Sequence, residues 1–380
     1  MDPRRFLKNN SFLLLLFLLP AASCRHIREV EIISSALGTA EEKTTVINTM
    51  QRNMTFINDS AVLLIANAGE LIRYNIYSGK ETGYFYPDTS YNTLLADEMD
   101  QDPALKKTIT PIRSYLANTK NSNHIPTASL YTFFVEGEQI YAPYYLLRIY
   151  DTTTLYQGKE KKAKIFDRDP LLFFLDKELH STRTLFINDP DRNCFNFGFA
   201  VQQNNIYATN LIPVSESKLP VFSKYTATNK ALNFLGESTI AFSPNAYRGR
   251  PLTFVNTSFS VHPLTGKMLF CDTRRIAEVE TEKVVFDTIF PASDTSEFIM
   301  RFDFSPRDIN TLHFIIDRMD SAWVHHYMIA LYNVAEKRIT FRQELGIDEK
   351  IKAFALRNDR VVTLELEGEN YIFKKYEIVP

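Results

Sequence analysis

Short apolar runs punctuated by Asn, Asp, Gly and Pro recur along the chain from residue 61 onward, among them Ala61–Ala66, Leu130–Val135, Tyr145–Tyr150, Phe195–Val201, Lys267–Asp272, Leu312–Asp317 and Tyr371–Ile378. Most runs have strand length and are rich in β-branched and aromatic residues. The residues between them tolerate unusual backbone angles, which makes them turns. A parallel α/β sheet would need helical stretches between the strands, and few are present.

Two elements repeat. A Tyr followed by a polar residue closes one strand at Tyr74-Asn75, Tyr150-Asp151, Tyr225-Thr226, Tyr332-Asn333 and Tyr376-Glu377, with the weaker segment Ile276–Glu280 filling the gap in the series. Ahead of each Tyr strand a polar turn leads into an apolar strand: Asn58-Asp59-Ser60, Glu136-Gly137-Glu138, Gln203-Asn204, His262 to Gly266, and Arg357-Asn358-Asp359. The period of about 60 residues is long for a propeller blade and leaves room for inserted loops. Six units fit.

A single four-stranded blade buries too little to stand alone, whereas radial stacking buries both of its faces and leaves only short edges. The expected fold is therefore all-β, a six-bladed β-propeller over residues 24–380, with a pair of β-sandwich domains as the alternative. The last unit offers three clear strands, Ile351–Leu356, Arg360–Glu365 and Tyr371–Ile378, so ring closure requires a fourth from Ile27–Ile33 or Thr44–Met50. Thr93–Met99 and Pro103–Ala117 carry apolar residues at helical spacing and predict a short helical insertion between the first and second blades.

Composition and charge narrow the functional classes. Aromatic residues make up 13% of the chain, and the formal net charge is −2, with no concentrated basic face of the kind nucleic-acid binders carry. The basic cluster Lys159–Lys164 reads as a solvated hairpin tip. Residues 1–23 form a basic start (Arg4, Arg5, Lys8), an apolar run Phe12–Leu19 and the small residues Ala21-Ala22-Ser23 before Cys24. The run is too short to cross a bilayer, and the order is that of an export signal. Beyond Cys24 there are Cys194 and Cys271, both among apolar neighbours, which read as two buried thiols or as one disulfide.

The leader ending at Cys24 resembles a bacterial lipoprotein signal, although position 21 holds Ala where that family usually has Leu. The array that follows, with phrases such as Asp59-Ser60-Ala61-Val62-Leu63-Leu64 and Tyr74-Asn75-Ile76-Tyr77-Ser78-Gly79-Lys80, resembles the TolB-like six-bladed propeller lipoproteins of Bacteroidetes. That resemblance implies acylation at Cys24 and a place on the cell envelope, with the outer membrane expected. It implies no catalytic residues.

No sequence motif supports catalysis, a metal site or a cofactor. There is no nucleophile elbow and no phosphate-binding loop. His325 and His326 are adjacent and would point to opposite faces of a strand. Asp97–Asp102 lacks the central Gly and final Glu of a calcium loop, and Asn188–Asn193 suits a Pro-containing turn. The expected activity is binding of a protein, peptide or glycan on the face where blade loops converge. The candidate contacts are Tyr247, Arg248 and Arg250, Tyr144 and Tyr145, and the stretch Tyr84–Tyr86, because Tyr and Arg favour interface hot spots. The alternatives are a polysaccharide-processing enzyme with acidic side chains in the central pocket and a scaffold subunit of an envelope complex.

Overall fold

The structure is a computed structural model of the chain. It describes residues 26–33, 54–66, 69–87, 128–156, 159–188, 198–209, 222–229, 231–241, 258–287, 289–290, 296–368 and 370–379. After an isolated first strand, β1 (His26–Ile33), the chain lays down consecutive antiparallel meanders. Blade one is β2 (Met54–Asn58), β3 (Ala61–Ala66), β4 (Glu70–Asn75) and β5 (Glu81–Phe85). Blade two holds β6 (Ala128–Leu130), β7 (Phe134–Glu136), β8 (Gln139–Tyr156), β9 (Lys159–Leu175) and β10 (Ser181–Asn188). Blade three holds β11 (Phe199–Gln202), β12 (Asn205–Thr209), β13 (Phe222–Ala227) and β14 (Ala231–Glu237). Blade four is β15 (Ser258–Val261), β16 (Met268–Cys271), β17 (Ile276–Glu278) and β18 (Lys283–Phe286). Blade five is β19 (Glu297–Phe304), β20 (Thr311–Met319), β21 (His325–Asn333) and β22 (Arg338–Ile347). Blade six is β23 (Ile351–Arg357), β24 (Arg360–Glu367) and β25 (Asn370–Val379), completed by β1.

β1 pairs antiparallel with β25, from His26↔Val379 to Ile33↔Phe373. The segment Ile27–Ile33 is thus the closing strand, and a six-bladed propeller results. Blades two and three are joined at their rims, because β10 and β14 run parallel and pair from Phe186↔Ala231 to Asn188↔Asn233.

The ring is held by six interblade cores. Along β3, Leu63 and Ile65 face blade two while Val62, Leu64 and Ala66 face blade six. A strand buried on both faces reads as a continuous apolar run, which is why Ala61–Ala66 has no polar position. Equivalent cores join blades two and three, three and four, four and five, and five and six. Burial falls with radius. In blade five β20 is almost wholly buried, whereas the outermost strand β22 alternates exposed and half-buried positions.

The five recurrent polar turns of the sequence are the first hairpins of blades one, two, three, four and six. The Tyr strands are third strands in blades one, three, five and six, as is Ile276–Glu278 in blade four. Blade two departs, since Tyr150 lies on its second strand. There β8 and β9 continue past the blade as a ribbon of ten cross-strand pairs, Leu147↔Arg168 to Tyr156↔Lys159, whose tip is the basic cluster. The expected helical insertion, Thr93–Ala117, lies outside the described residues.

Cys271 is a free, fully buried thiol, and burial pushes its pKa well up. Cys194 lies outside the described residues.

Candidate functional site

The innermost strands β2, β7, β11, β15, β19 and β23 surround the propeller axis and run toward the face that carries the first hairpin turns. Near that face they enclose an axial cavity of about 380 Å³, within the size range of ligand pockets. Five of the six blades contribute: Thr55 and Phe56, Phe134, Val135 and Gly137, Phe259 to Val261 with Met268, Asp303, and Leu356 to Asn358. The walls mix polar and apolar surface. Phe134, Val135 and Phe259 are half-buried, Val261 is exposed, and at the tip of the next turn Leu264 is 78% exposed.

Polar groups at the mouth are cross-linked between blades. Ser260 donates its hydroxyl to Asp303 Oδ1 at 2.9 Å, and the backbone N–H of Asn358 donates to Asp303 Oδ2 at 2.7 Å. The Phe304 N–H also donates to Oδ1 at 2.9 Å. No cation pairs with Asp303 among the described residues. Beneath the turn, Asp359 accepts from Ser305 at 3.1 Å and pairs with Arg307 at 2.9 Å. His313 Nδ1 lies 2.6 Å from the Asn358 carbonyl. A carbonyl only accepts, so Nδ1 carries the proton. Arg357 donates to the Ile57 carbonyl at 3.2 Å, and Gln202 donates to that of Gly266 at 2.9 Å.

The turns that form the rim explain this aim. In blades two, three and six they contain two residues, and the first takes a positive φ: 59° at Gly137, 57° at Gln203 and 55° at Asn358. Gly and Asn adopt that backbone readily, which is why such residues punctuate the sequence there.

Tyr144 and Tyr145 are corrected by this geometry. Successive strand residues point to opposite faces, and here Tyr144 enters the core with blade one while Tyr145 enters the core with blade three, leaving them 0% and 4% exposed. The Tyr144 hydroxyl donates to the Gly69 carbonyl at 2.8 Å. Both are packing residues. In the stretch Tyr84–Tyr86, Phe85 is buried and the Tyr86 hydroxyl bonds both the N–H and the carbonyl of Ala128 at 3.1 Å. Tyr84 stays half exposed on an outer strand, and desolvation with Glu70 beside it pushes its hydroxyl up to about 12. Tyr247, Arg248, Arg250 and Cys24 lie outside the described residues.

Asp303, Phe134 and Phe259 were not singled out in the sequence. The available signal was Arg301 and Asp303 alternating with Met300, Phe302 and Phe304, which places charges on one side of a strand at the ring centre.

His325 and His326 do face apart. His325 Nδ1 sits 3.0 Å from both Asp317 oxygens, while His326 lies between Glu344 at 3.0 Å and Asp320 at 3.1 Å. Among the described residues no group of three His, Cys, Asp or Glu side chains is placed to hold a metal.

No family model matches this sequence, and no curated protein matches it. Among solved structures the chain is similar to one in a crystal structure of a mitotic checkpoint complex, at 8% identity and a TM-score of 0.45, covering 93% of this chain and 95% of that one. It is also similar to the β-propeller domain of Myceliophteria thermophila Cps50 (Swd1), at 6% identity and a TM-score of 0.40, covering 93% and 100%. RRP9 WD40 repeats show 12% identity and a TM-score of 0.36, covering 91% and 78%.

Proposed function

We propose that this protein is a lipid-anchored envelope protein whose propeller binds a protein or peptide ligand at the mouth of its axial cavity. The observation that carries the binding site is the cavity itself, with aromatic, aliphatic and polar groups from five blades around the Asp303 carboxylate. Half-buried aromatics ringed by polar turns are the kind of surface on which interfaces concentrate their affinity. The leader ending at Cys24 supports the anchor.

The polysaccharide-cleaving alternative is less well supported. Glycoside hydrolysis uses two carboxyl groups facing each other across the substrate, and among the described lining residues Asp303 is the one carboxylate.

The test has two parts. Mass spectrometry of membrane-extracted protein should find an acylated N-terminus at Cys24, and Cys24→Ala should abolish it. A photocrosslinking residue at Leu264, beside the mouth, should yield one discrete adduct in intact cells, and one at Trp323 none. Equal labelling at both positions would remove the cavity from the binding reading. Replacing Tyr247, Arg248 and Arg250 with Ala tests the other surface. Loss of the Leu264 adduct in that variant would extend the site to those residues.

A further inference from the structure

The chain joins the propeller at the rim of the cavity face. β25 runs toward the face carrying the first hairpin turns, so β1, antiparallel to it, begins there, with His26 opposite Val379. The neighbouring Ile378 N–H donates to the Asp359 carbonyl at 2.8 Å. Asp359 belongs to the same two-residue turn as Asn358, which lines the cavity and bonds Asp303. His26 follows Cys24 by two residues, a span of at most about 7 Å.

We infer that the anchored membrane lies against the cavity face, and that the cavity takes a basic side chain on a polypeptide segment emerging from a protein seated in that membrane. The inference rests on the proposed acylation of Cys24 and deepens the binding reading. With so short a tether the cavity face is the membrane-proximal one, while the turns at the other ends of the strands are distal. In blade five, whose strands run eight to ten residues, this puts the two ends roughly 30 Å apart.

The chemistry of the cavity selects the occupant. Asp303 has its two oxygens fixed by Ser260 and Asn358 and forms no ion pair among the described residues, although Arg301 lies two positions before it on the same strand. A Lys or Arg stem can lie along Phe134, Phe259 and Val261 with its charged end on the carboxylate, the usual division between apolar stem and polar head. A lipid phosphate would instead meet that carboxylate. The lining guanidinium, Arg357, is turned to the Ile57 carbonyl.

Trp323, the one tryptophan, is 67% exposed in the turn between β20 and β21, on the distal face. This makes the orientation measurable on the full lipidated protein in vesicles containing a nitroxide-headgroup lipid. Trp323 emission should be unchanged, whereas in the Trp323→Phe/Leu264→Trp variant emission should be at least halved. Binding is read with two blocked peptides, acetyl-Leu-Lys-Leu-amide and acetyl-Leu-Glu-Leu-amide. The Lys peptide should bind in preference, and both Asp303→Asn and the cavity-filling Val261→Trp should weaken it about tenfold, or about 1.4 kcal/mol.

An unmodified N-terminus overturns the anchor reading and the orientation with it. An acylated protein in which Trp323 is quenched as strongly as the tryptophan at 264 overturns the orientation alone. Equal binding of the Glu peptide, displacement of the Lys peptide by inorganic phosphate, or full binding by the Val261→Trp protein overturns the proposed occupant.

Discussion

Asp303 Oδ2 accepts the backbone N–H of Asn358 at 2.7 Å, so an inner-strand carboxylate of blade five holds the first turn of blade six. Through Ser260 the same side chain also reaches blade four. One residue thus joins three blades at the cavity mouth, and its effects on stability and on binding are coupled.

Asp303→Ala should destabilise the protein by about 2 kcal/mol, since hydrogen bonds to a charged acceptor are worth about 1.5 to 3 kcal/mol and part of this site is solvated. Asp303→Asn should lose less, because an amide oxygen can still accept from one donor. Urea unfolding distinguishes the two. Equal stability of wild type and Asp303→Ala would show that the bridge contributes nothing.

Deleting residues 370–380 should abolish cooperative unfolding. β25 carries Tyr371, Ile372, Phe373, Tyr376 and Ile378, all 6% exposed or less. Side chains of this kind contribute about 1.5 to 3 kcal/mol each when fully buried, against a whole-domain stability of about 5 to 15 kcal/mol. The deletion also leaves β1 without its partner strand. A truncated chain that melts like the intact one would refute closure through this sheet.

The parts of the fold that could be read in the sequence are those where one physical demand dominates. Second and third strands packed on both faces, such as Ala61–Ala66, carry unbroken apolar runs. Several first hairpins carry Gly or Asn, as at Gly137, Gly266 and Asn358, where the backbone takes a positive φ. Outer strands such as Glu81–Phe85 and Ala231–Glu237 face water along much of their length and carry no run. Met54–Asn58 was hidden by Thr55, which is polar because it lines the cavity. The site was less legible for a related reason. Its residues come one or two per blade, far apart in sequence, and Tyr144 and Tyr145 look like contact residues until the ring shows that they separate adjacent blades.

His326 should make stability depend on pH. Hydrogen bonds to Glu344, then to Asp320, raise its pKa above the ordinary 6.5. The folded state therefore holds the proton more tightly, and the added stability is complete below about pH 6.5 and fades as pH rises through the folded value. At the acid end it fades again as Asp320, whose own pKa His326 lowers, becomes protonated. The stability difference between wild type and His326→Gln, from urea unfolding at several pH values, should be larger near pH 6 than near pH 9. A difference that grows with pH would contradict the assignment of both ring nitrogens to carboxylates.

The ribbon of blade two should be removable. Beyond Leu146↔Asp169, strands β8 and β9 pair with each other and with no other strand among the described residues. A two-stranded ribbon is at best marginally stable in water, so it adds little to the ring. Replacing residues 147–168 with Asn-Gly joins two paired positions through a turn that favours this connection. The shortened protein should melt within a few degrees of the parent and keep the cavity face, which lies at the other end of the blade. A loss of more than about 2 kcal/mol, equivalent to several degrees in a protein of this size, would mean that the ribbon packs on the propeller, and the claim of independence would fail.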